Sequence, residues 1–333
     1  MHHNPVEVIK TNDWEKECRL AQKKLKIRNP LIVTSKSILK PFNLSSVFNS
    51  ESIYSDIKPD PTFESCQDAI DFVGMSKFDG VIAIGGGSVM DTAKALMAYI
   101  GTGVEKISEL IKFNEPFENP IPSIFLPTTH GTASEVTMWG TIWDMKNKKK
   151  CSISHPKLYP TIAILDGTFT LKLPLSISIY TVMDALSHSF EAIWNKNANK
   201  ISNDFAITAI CSILRNINQL KINPLDLKTR NNLLEASNIA GLAFSRTKTA
   251  AAHSISYPLT INYKIPHGIA SSMALLPLLR INKDSIYNEL EEIKLNLNYG
   301  STEELADNIR SIPKDIIKYS LSEWGIKKEE LPS

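Results

Sequence analysis

Asp184 and His188 stand four residues apart in "MDALSHSFEA", the spacing that brings two side chains onto one face of an α-helix. A carboxylate and an imidazole so placed can bite one metal ion. Taken alone, the pair equally suits a hydrogen bond on a helix surface. Two further histidines, His253 and His267, lie fourteen residues apart in "HSISYPLTINYKIPHG", with Pro258 and Pro266 between them. Proline disrupts a helix interior, so these imidazoles are expected on separate elements that can converge. Three imidazoles and one carboxylate would suit Fe2+ or Zn2+ and leave room for a substrate oxygen.

A second stretch, "DGVIAIGGGSVMDTAKALMAYI", reads as strand, glycine turn and helix. Gly85, Gly86 and Gly87 carry no side chains, so a phosphate can approach the backbone, and the amides of the following helix would face it. The spacing is neither G-x-G-x-x-G nor a P-loop. A structural reading stands beside the functional one, because Ser88 and Asp91 form the S-x-x-D pattern of a capping box.

These residues need elements to position them. "NPLIVTS", "FDGVIAIGGG", "IPSIFLPTT" and "TIAILDG" are compact apolar runs closed by small or turn residues, with helical patterns between them. That alternation predicts an α/β layer with a parallel, Rossmann-like sheet. After "TFTLKLPLS" the texture turns helical: "SISIYTVMDALSHSFEAIWN", "SNDFAITAICSILRNINQL" and "TRNNLLEASNIAGLAF" follow in succession. The expected division is an α/β dinucleotide-binding domain over residues 1–170 and an all-helical, metal-binding domain over residues 171–333. The 333 residues suffice for both. A net charge of +2 gives no reason to expect nucleic acid or an acidic membrane as partner. No apolar run reaches the roughly 18 residues of a membrane span. The opening residues lack the apolar core of a signal peptide, and the four cysteines are scattered without a C-x-x-C pair. A cytoplasmic protein with reduced thiols is the expectation.

The motifs together resemble the iron-containing (group III) alcohol dehydrogenase family from about Asn29 to Leu331. "IGGGSVMDTAKAL" is similar to its pyrophosphate-binding segment, which implies cofactor contacts at Gly86, Gly87, Ser88 and Asp91. "LPTTHGTASEVT" resembles its threonine-rich loop and implies Thr128 and Thr129 beside a nicotinamide nucleotide, and Lys150 falls where the family has a lysine near that cofactor. The resemblance gives the metal to Asp184, His188, His253 and His267, with His253 and His267 in the catalytic centre. It implies hydride transfer between NAD(P)H and a carbonyl polarised by Fe2+ or Zn2+, in a homodimer.

Departures from the family pattern narrow the reading. Tyr257 replaces a histidine four residues after His253, and its hydroxyl can relay a proton or simply pack. Ser35 and Lys36 stand where an aspartate often bonds the ribose, which favours NADPH over NADH because a lysine attracts a 2′-phosphate, the alternative being a solvated loop lysine. The chain stops at "LSEWGIKKEELPS", short of the helical turns usual in the family, which implies a more open site, a wall from a partner subunit or a shortened gene product. Arg246 and Lys248 replace small neutral residues before His253. A cation beside a polarised carbonyl is costly unless an anion offsets it, so a phosphonate, sulfonate or carboxylate on the substrate is expected; the alternative is that both cations point to solvent or pair with a surface acid. His130 offers another anion contact or a structural turn histidine, while Thr137, Trp139, Thr141 and Phe244 are candidate pocket residues. The pattern is most similar to the phosphonoacetaldehyde reductase branch, which implies reduction of phosphonoacetaldehyde to 2-hydroxyethylphosphonate in phosphonate biosynthesis. Alternatives are a sulfonated, carboxylated or neutral substrate, a lyase like dehydroquinate synthase, and a non-catalytic relic.

Overall fold

The computed structural model describes residues 4–112, 117 and 119–330. They form two compact units. The first comprises residues up to Thr128 together with Ser134–Phe169, and the second comprises Thr129–Ala133 together with the residues from Thr170 onward. A single cut at residue 170 does not contain that exchange: the short segment Thr129–Ala133 goes with the helical unit.

In the first unit the order is β1 (Glu7–Lys10), α1 (Trp14–Leu25), β2 (Pro30–Thr34), α2 (Lys36–Leu39), α3 (Leu44–Val47), β3 (Ile53–Tyr54), α4 (Phe63–Val73), β4 (Gly80–Gly85), α5 (Gly87–Thr102) and α6 (Ile107–Leu110). There follow β5 (Ser123–Pro127), β6 (Trp139–Asp144), β7 (Lys149–Ser154) and β8 (Ile162–Leu165). Six strands make one parallel sheet in the order β1-β8-β5-β4-β2-β3. Both faces of its middle are covered, which explains why the strands read as unbroken apolar runs. Val81 and Ala83 join Leu31, Val33 and Phe125 in one core, while Ile82 and Ile84 join Ile32, Ile124, Leu126 and Ile164 in the other. Strands β6 and β7 stand apart as an antiparallel pair that the sequence reading does not include.

The sheet reverses its direction of growth at β2. The chain goes outward from β2 to β3, then returns to place β4 on the other side of β2 and builds on through β5 and β8. The carboxyl ends of β2 and β4 therefore flank a topological switch point, the usual ligand crevice of an open α/β sheet.

The second unit is helical: α7 (Leu175–Ile193), α8 (Lys200–Ile222), α9 (Leu227–Thr247), α10 (Ala251–Tyr263), α11 (His267–Met273), α12 (Leu275–Asn282), α13 (Tyr287–Leu297) and α14 (Thr302–Ser311). Helix α7 is its axis, buried at every residue from Ser178 to Ile193 except Tyr180. Arg230 of α9, itself buried, ties down the start of α7 by donating to Ser178 Oγ at 2.7 Å, Leu173 O at 3.2 Å and Pro224 O at 2.8 Å. Pro258 corrects one expectation: it lies inside α10 without ending it. Its ring is on the exposed side, where loss of one backbone hydrogen bond to the preceding turn is tolerated by water. The break falls at Lys264, whose left-handed backbone caps α10, and at Pro266, which caps α11. Among the described residues no helix is long and apolar enough to cross a membrane.

Candidate metal centre and nucleotide turn

Helical spacing puts Asp184 and His188 on the same side of α7, and α10 brings His253 to meet them. One ligand atom from each of the three lies within 4.8 Å of the others, and all three residues are buried. His253 Nε2 is 3.5 Å from Asp184 Oδ1 and has no hydrogen bond of good geometry. The rings are held in a stack: His188 lies 4.0 Å from Phe244 at 11° on one side and 4.4 Å from His253 at 21°. His267 enters at the edge, its ring centroid 5.4 Å from that of His253 in a T-shaped contact. Its neighbour Gly268 lets α11 approach α7 closely, since a Cβ there would sit 2.5 Å from Tyr180 O. The structure thus makes a tight trio of Asp184, His188 and His253, with His267 beside it.

Electrostatics match the geometry. Burial alone would raise the pKa of the Asp184 carboxyl, but the imidazoles, His188 first, outweigh it and hold Asp184 far below the usual range. Burial alone would lower His253, yet Asp184 and Glu191 outweigh it and leave it raised. Ser271 Oγ donates to Asp184 Oδ1 at 2.6 Å, and Ser187 Oγ donates to Ser271 O at 2.9 Å, fixing the carboxylate from behind. An acid that draws positive charge and a buried imidazole nitrogen with no hydrogen bond fit a divalent ion with nitrogen and oxygen ligands.

Glu191 escapes the sequence reading. It is wholly buried and accepts from the amides of Ala252 at 2.6 Å and His253 at 3.3 Å, while its Oε2 meets His253 Nδ1. The available signal was its place seven residues after Asp184, on the same side of α7 as Asp184 and His188.

The pocket candidates divide between the two units. Phe244 is buried as the plate behind His188. His130 is completely buried, and burial, with Arg230 nearby, pushes its pKa down to about 3. The ring is therefore neutral, with one N–H to donate. Thr137 faces inward to Lys94, whose Nζ donates to Thr137 Oγ1 at 2.9 Å, Ser134 Oγ at 2.8 Å, and the carbonyls of Ser134 and Trp139 at 2.7 Å each. Thr141 lends its amide to Asp91 at 3.0 Å, and Trp139 opens β6. Arg246 is half-buried in the last turn of α9 and Lys248 is exposed just after it. Lys248 has φ 66° and ψ 178°, a backbone region that ordinarily belongs to glycine. Its carbonyl is held by Asn195 Nδ2 at 3.2 Å. Tyr257 is half-buried, one turn along α10 from His253.

In the first unit the glycine turn sits at the switch point. Gly85 ends β4, Gly86 caps α5 without any side-chain hydrogen bond, and Gly87 opens the helix. A Cβ on Gly85 would come within 2.4 Å of Val89, so only glycine lets the helix turn back this tightly. The capping-box reading fails: Ser88 lies inside the helix and its Oγ accepts from the amide of Asp60 at 3.2 Å. The Asp91 carboxylate accepts from Ser134 Oγ at 2.9 Å and from the Thr141 amide. Thr128 donates its amide to Gly85 O at 3.1 Å, and Ser35 follows β2, so Ser35, Gly86 and Thr128 share one edge of the sheet. Thr129 belongs to the second unit. Lys150 lies on β7, near enough to Asp91 to offset part of its burial. Lys36 is paired with Asp56 at 2.7 Å, both exposed, so the charge offered to a 2′-phosphate has a neighbouring carboxylate.

A parallel sheet with a glycine turn at its switch point, and a buried His/Asp cluster in a helical unit, define a class of protein built to hold a nucleotide and a metal ion. The chain belongs to the iron-containing alcohol dehydrogenase family: residues 5–167 match the family's model and residues 178–333 match its C-terminal model. It is 30% identical to 1,3-propanediol dehydrogenase of Citrobacter freundii, over 84% of this chain and 74% of that one. It is 32% identical to long-chain-alcohol dehydrogenase 1 of Geobacillus thermodenitrificans, over 77% of this chain and 66% of that one, just under two thirds of its length. The structure is similar to that of sulfoacetaldehyde reductase from Bifidobacterium kashiwanohense in complex with NAD+, with a TM-score of 0.90 and 27% identity over 99% of this chain and 89% of that one.

Proposed function

We propose that this chain is a metal-dependent NAD(P)H oxidoreductase for a short anionic aldehyde, foremost phosphonoacetaldehyde, reduced to 2-hydroxyethylphosphonate. One observation carries the reading: Asp184, His188 and His253 converge, buried, with ligand atoms within 4.8 Å. When bound, a divalent metal supplies Lewis-acid polarisation of a carbonyl and a reduced nicotinamide supplies hydride. The chain's own side chains hold and orient. Asp184, His188, His253 and His267 are the ligand set, and Ser271 fixes Asp184. Gly86, Gly87 and Ser88, with Thr128 and Ser35 along the same sheet edge, would hold the dinucleotide, the α5 amides offering hydrogen bonds to its phosphates. The Tyr257 hydroxyl passes a proton toward the product oxygen. Arg246 and Lys248 bind the substrate anion; neither forms an ion pair with another described residue.

A sulfonated aldehyde is the second reading, supported by the likeness to sulfoacetaldehyde reductase. Sulfonate and phosphonate are both tetrahedral oxyanions and engage the same cations. The test is steady-state reduction of phosphonoacetaldehyde, sulfoacetaldehyde, succinic semialdehyde and a neutral aldehyde, with NADH and NADPH, by metal-loaded protein. Phosphonoacetaldehyde is expected to give the highest kcat/KM. Lys248→Ala should raise KM for it about ten-fold, the low end for a charge-assisted contact because Lys248 is exposed. Equal effects on the neutral aldehyde would remove the anion site, and no reduction of any aldehyde would remove the whole assignment.

A further inference from the structure

We propose that Glu191 is a positioning residue, which caps α10 from across the unit and holds His253 in the tautomer that presents Nε2 to a divalent ion. This rests on the metal-centre reading above. Helix α10 begins at Ala251 after Ala250, a residue that makes no side-chain cap. Its first amides nonetheless need acceptors, and they find one on another helix. Oε1 of Glu191 takes the N–H groups of Ala252 and His253 at 2.6 and 3.3 Å. Oε2 is left facing His253 Nδ1.

The consequence for the ring is directional. A carboxylate oxygen can only accept here, so in the neutral ring that a metal ligand requires the hydrogen resides on Nδ1 and the lone pair on Nε2. That nitrogen points to Asp184, 3.5 Å away. Such a carboxylate behind a metal-ligating histidine fixes ring and tautomer together. Glu191 also shares α7 with Asp184 and His188 at positions i, i+4 and i+7. One rigid helix thus supplies two ligands directly and sets the third through a side chain.

The test is Glu191→Gln in the full chain, with Co2+ as the probe, read by its ligand-field absorption and by competition with a chelator. Gln is isosteric. Its carbonyl can still accept from the Ala252 and His253 amides, but its NH2 then faces Nδ1 and drives the hydrogen to Nε2. The expected result is a melting temperature of the metal-free protein close to that of wild type, with Co2+ affinity about 10- to 100-fold lower. Glu191→Ala should lose both affinity and stability. Wild-type uptake of Co2+ with unchanged affinity in a folded Glu191→Gln variant would overturn the role of Glu191 alone. A wild-type chain that takes up no Co2+ would overturn the metal centre, and this role with it.

Discussion

Lys94→Met is the perturbation whose cost the structure sets most directly. Lys94 is completely buried in α5, and its Nζ reaches two hydroxyls and the carbonyls of Ser134 and Trp139. Methionine has similar length and fills the space, so little cavity opens. The Ser134 hydroxyl keeps Asp91, Ser134 O keeps the Thr137 amide and hydroxyl at 3.4 Å each, and Trp139 O keeps the Thr137 hydroxyl at 3.4 Å. Long contacts in place of short charge-assisted ones predict a loss of about 1–3 kcal/mol. For a unit of this size roughly 2–4 °C accompanies each kcal/mol, which places the fall in melting temperature at about 2–12 °C. The loss also depends on pH. Burial pushes Lys94 down to about 7 from 10.5, with Asp91 opposing. Between those values the unfolded chain binds the proton that the folded one releases, so this group adds stability as pH rises. Wild type should therefore gain on Lys94→Met as pH climbs from 7 toward 10. Differential scanning calorimetry of both proteins across that range decides the matter. A loss below about 1 kcal/mol, or a difference that shrinks with pH, would show that Lys94 does not hold the 134–139 segment.

Two further outcomes follow from surface and thiol chemistry. Asp56→Ala frees Lys36 from its carboxylate neighbour and should raise the NADPH/NADH ratio of kcat/KM by no more than about five-fold, as befits an exposed pair; an unchanged ratio would place Lys36 away from the adenosine ribose. In native protein an aromatic disulfide reagent should titrate Cys151 first, because Cys18, Cys66 and Cys211 are buried and burial raises their thiols to about 12, 12 and 11; rapid reaction of two or more thiols would contradict this packing.

What was legible in the sequence was what is local. The Asp184–His188 spacing and the apolar runs of β2, β4, β5 and β8 depend on periodicity within a few residues, and each forms the expected element. The illegible parts depend on partners far along the chain. Lys94 in "DTAKAL" has the appearance of a solvated helix lysine until the 134–139 segment supplies its oxygens. Glu191 passes for an ordinary helix acid until the first turn of α10 arrives sixty-one residues later. Strands β6 and β7 join through Met145–Lys148 without an Asn-Gly or Asp-Gly signal, Lys148 itself adopting a positive φ of 50°. The Thr129–Ala133 exchange carries no mark in composition at all.

The charge arrangement of α7 draws these threads to one point. Asp184 and Glu191 bring two carboxylates into a helix that is buried throughout residues 181–193. Isolated charges there would be prohibitive, so each must be matched nearby. Glu191 meets two amides and the His253 ring, while Asp184 meets Ser271 and the imidazoles. Beyond these hydrogen bonds, protonated histidines can supply the compensation only by setting two positive rings, His188 and His253, in a stack 4.4 Å apart. A single divalent ion balances both carboxylates while leaving every imidazole neutral and free to act as a ligand. Charge balance of the buried set therefore supports the proposal of a divalent ion among these side chains.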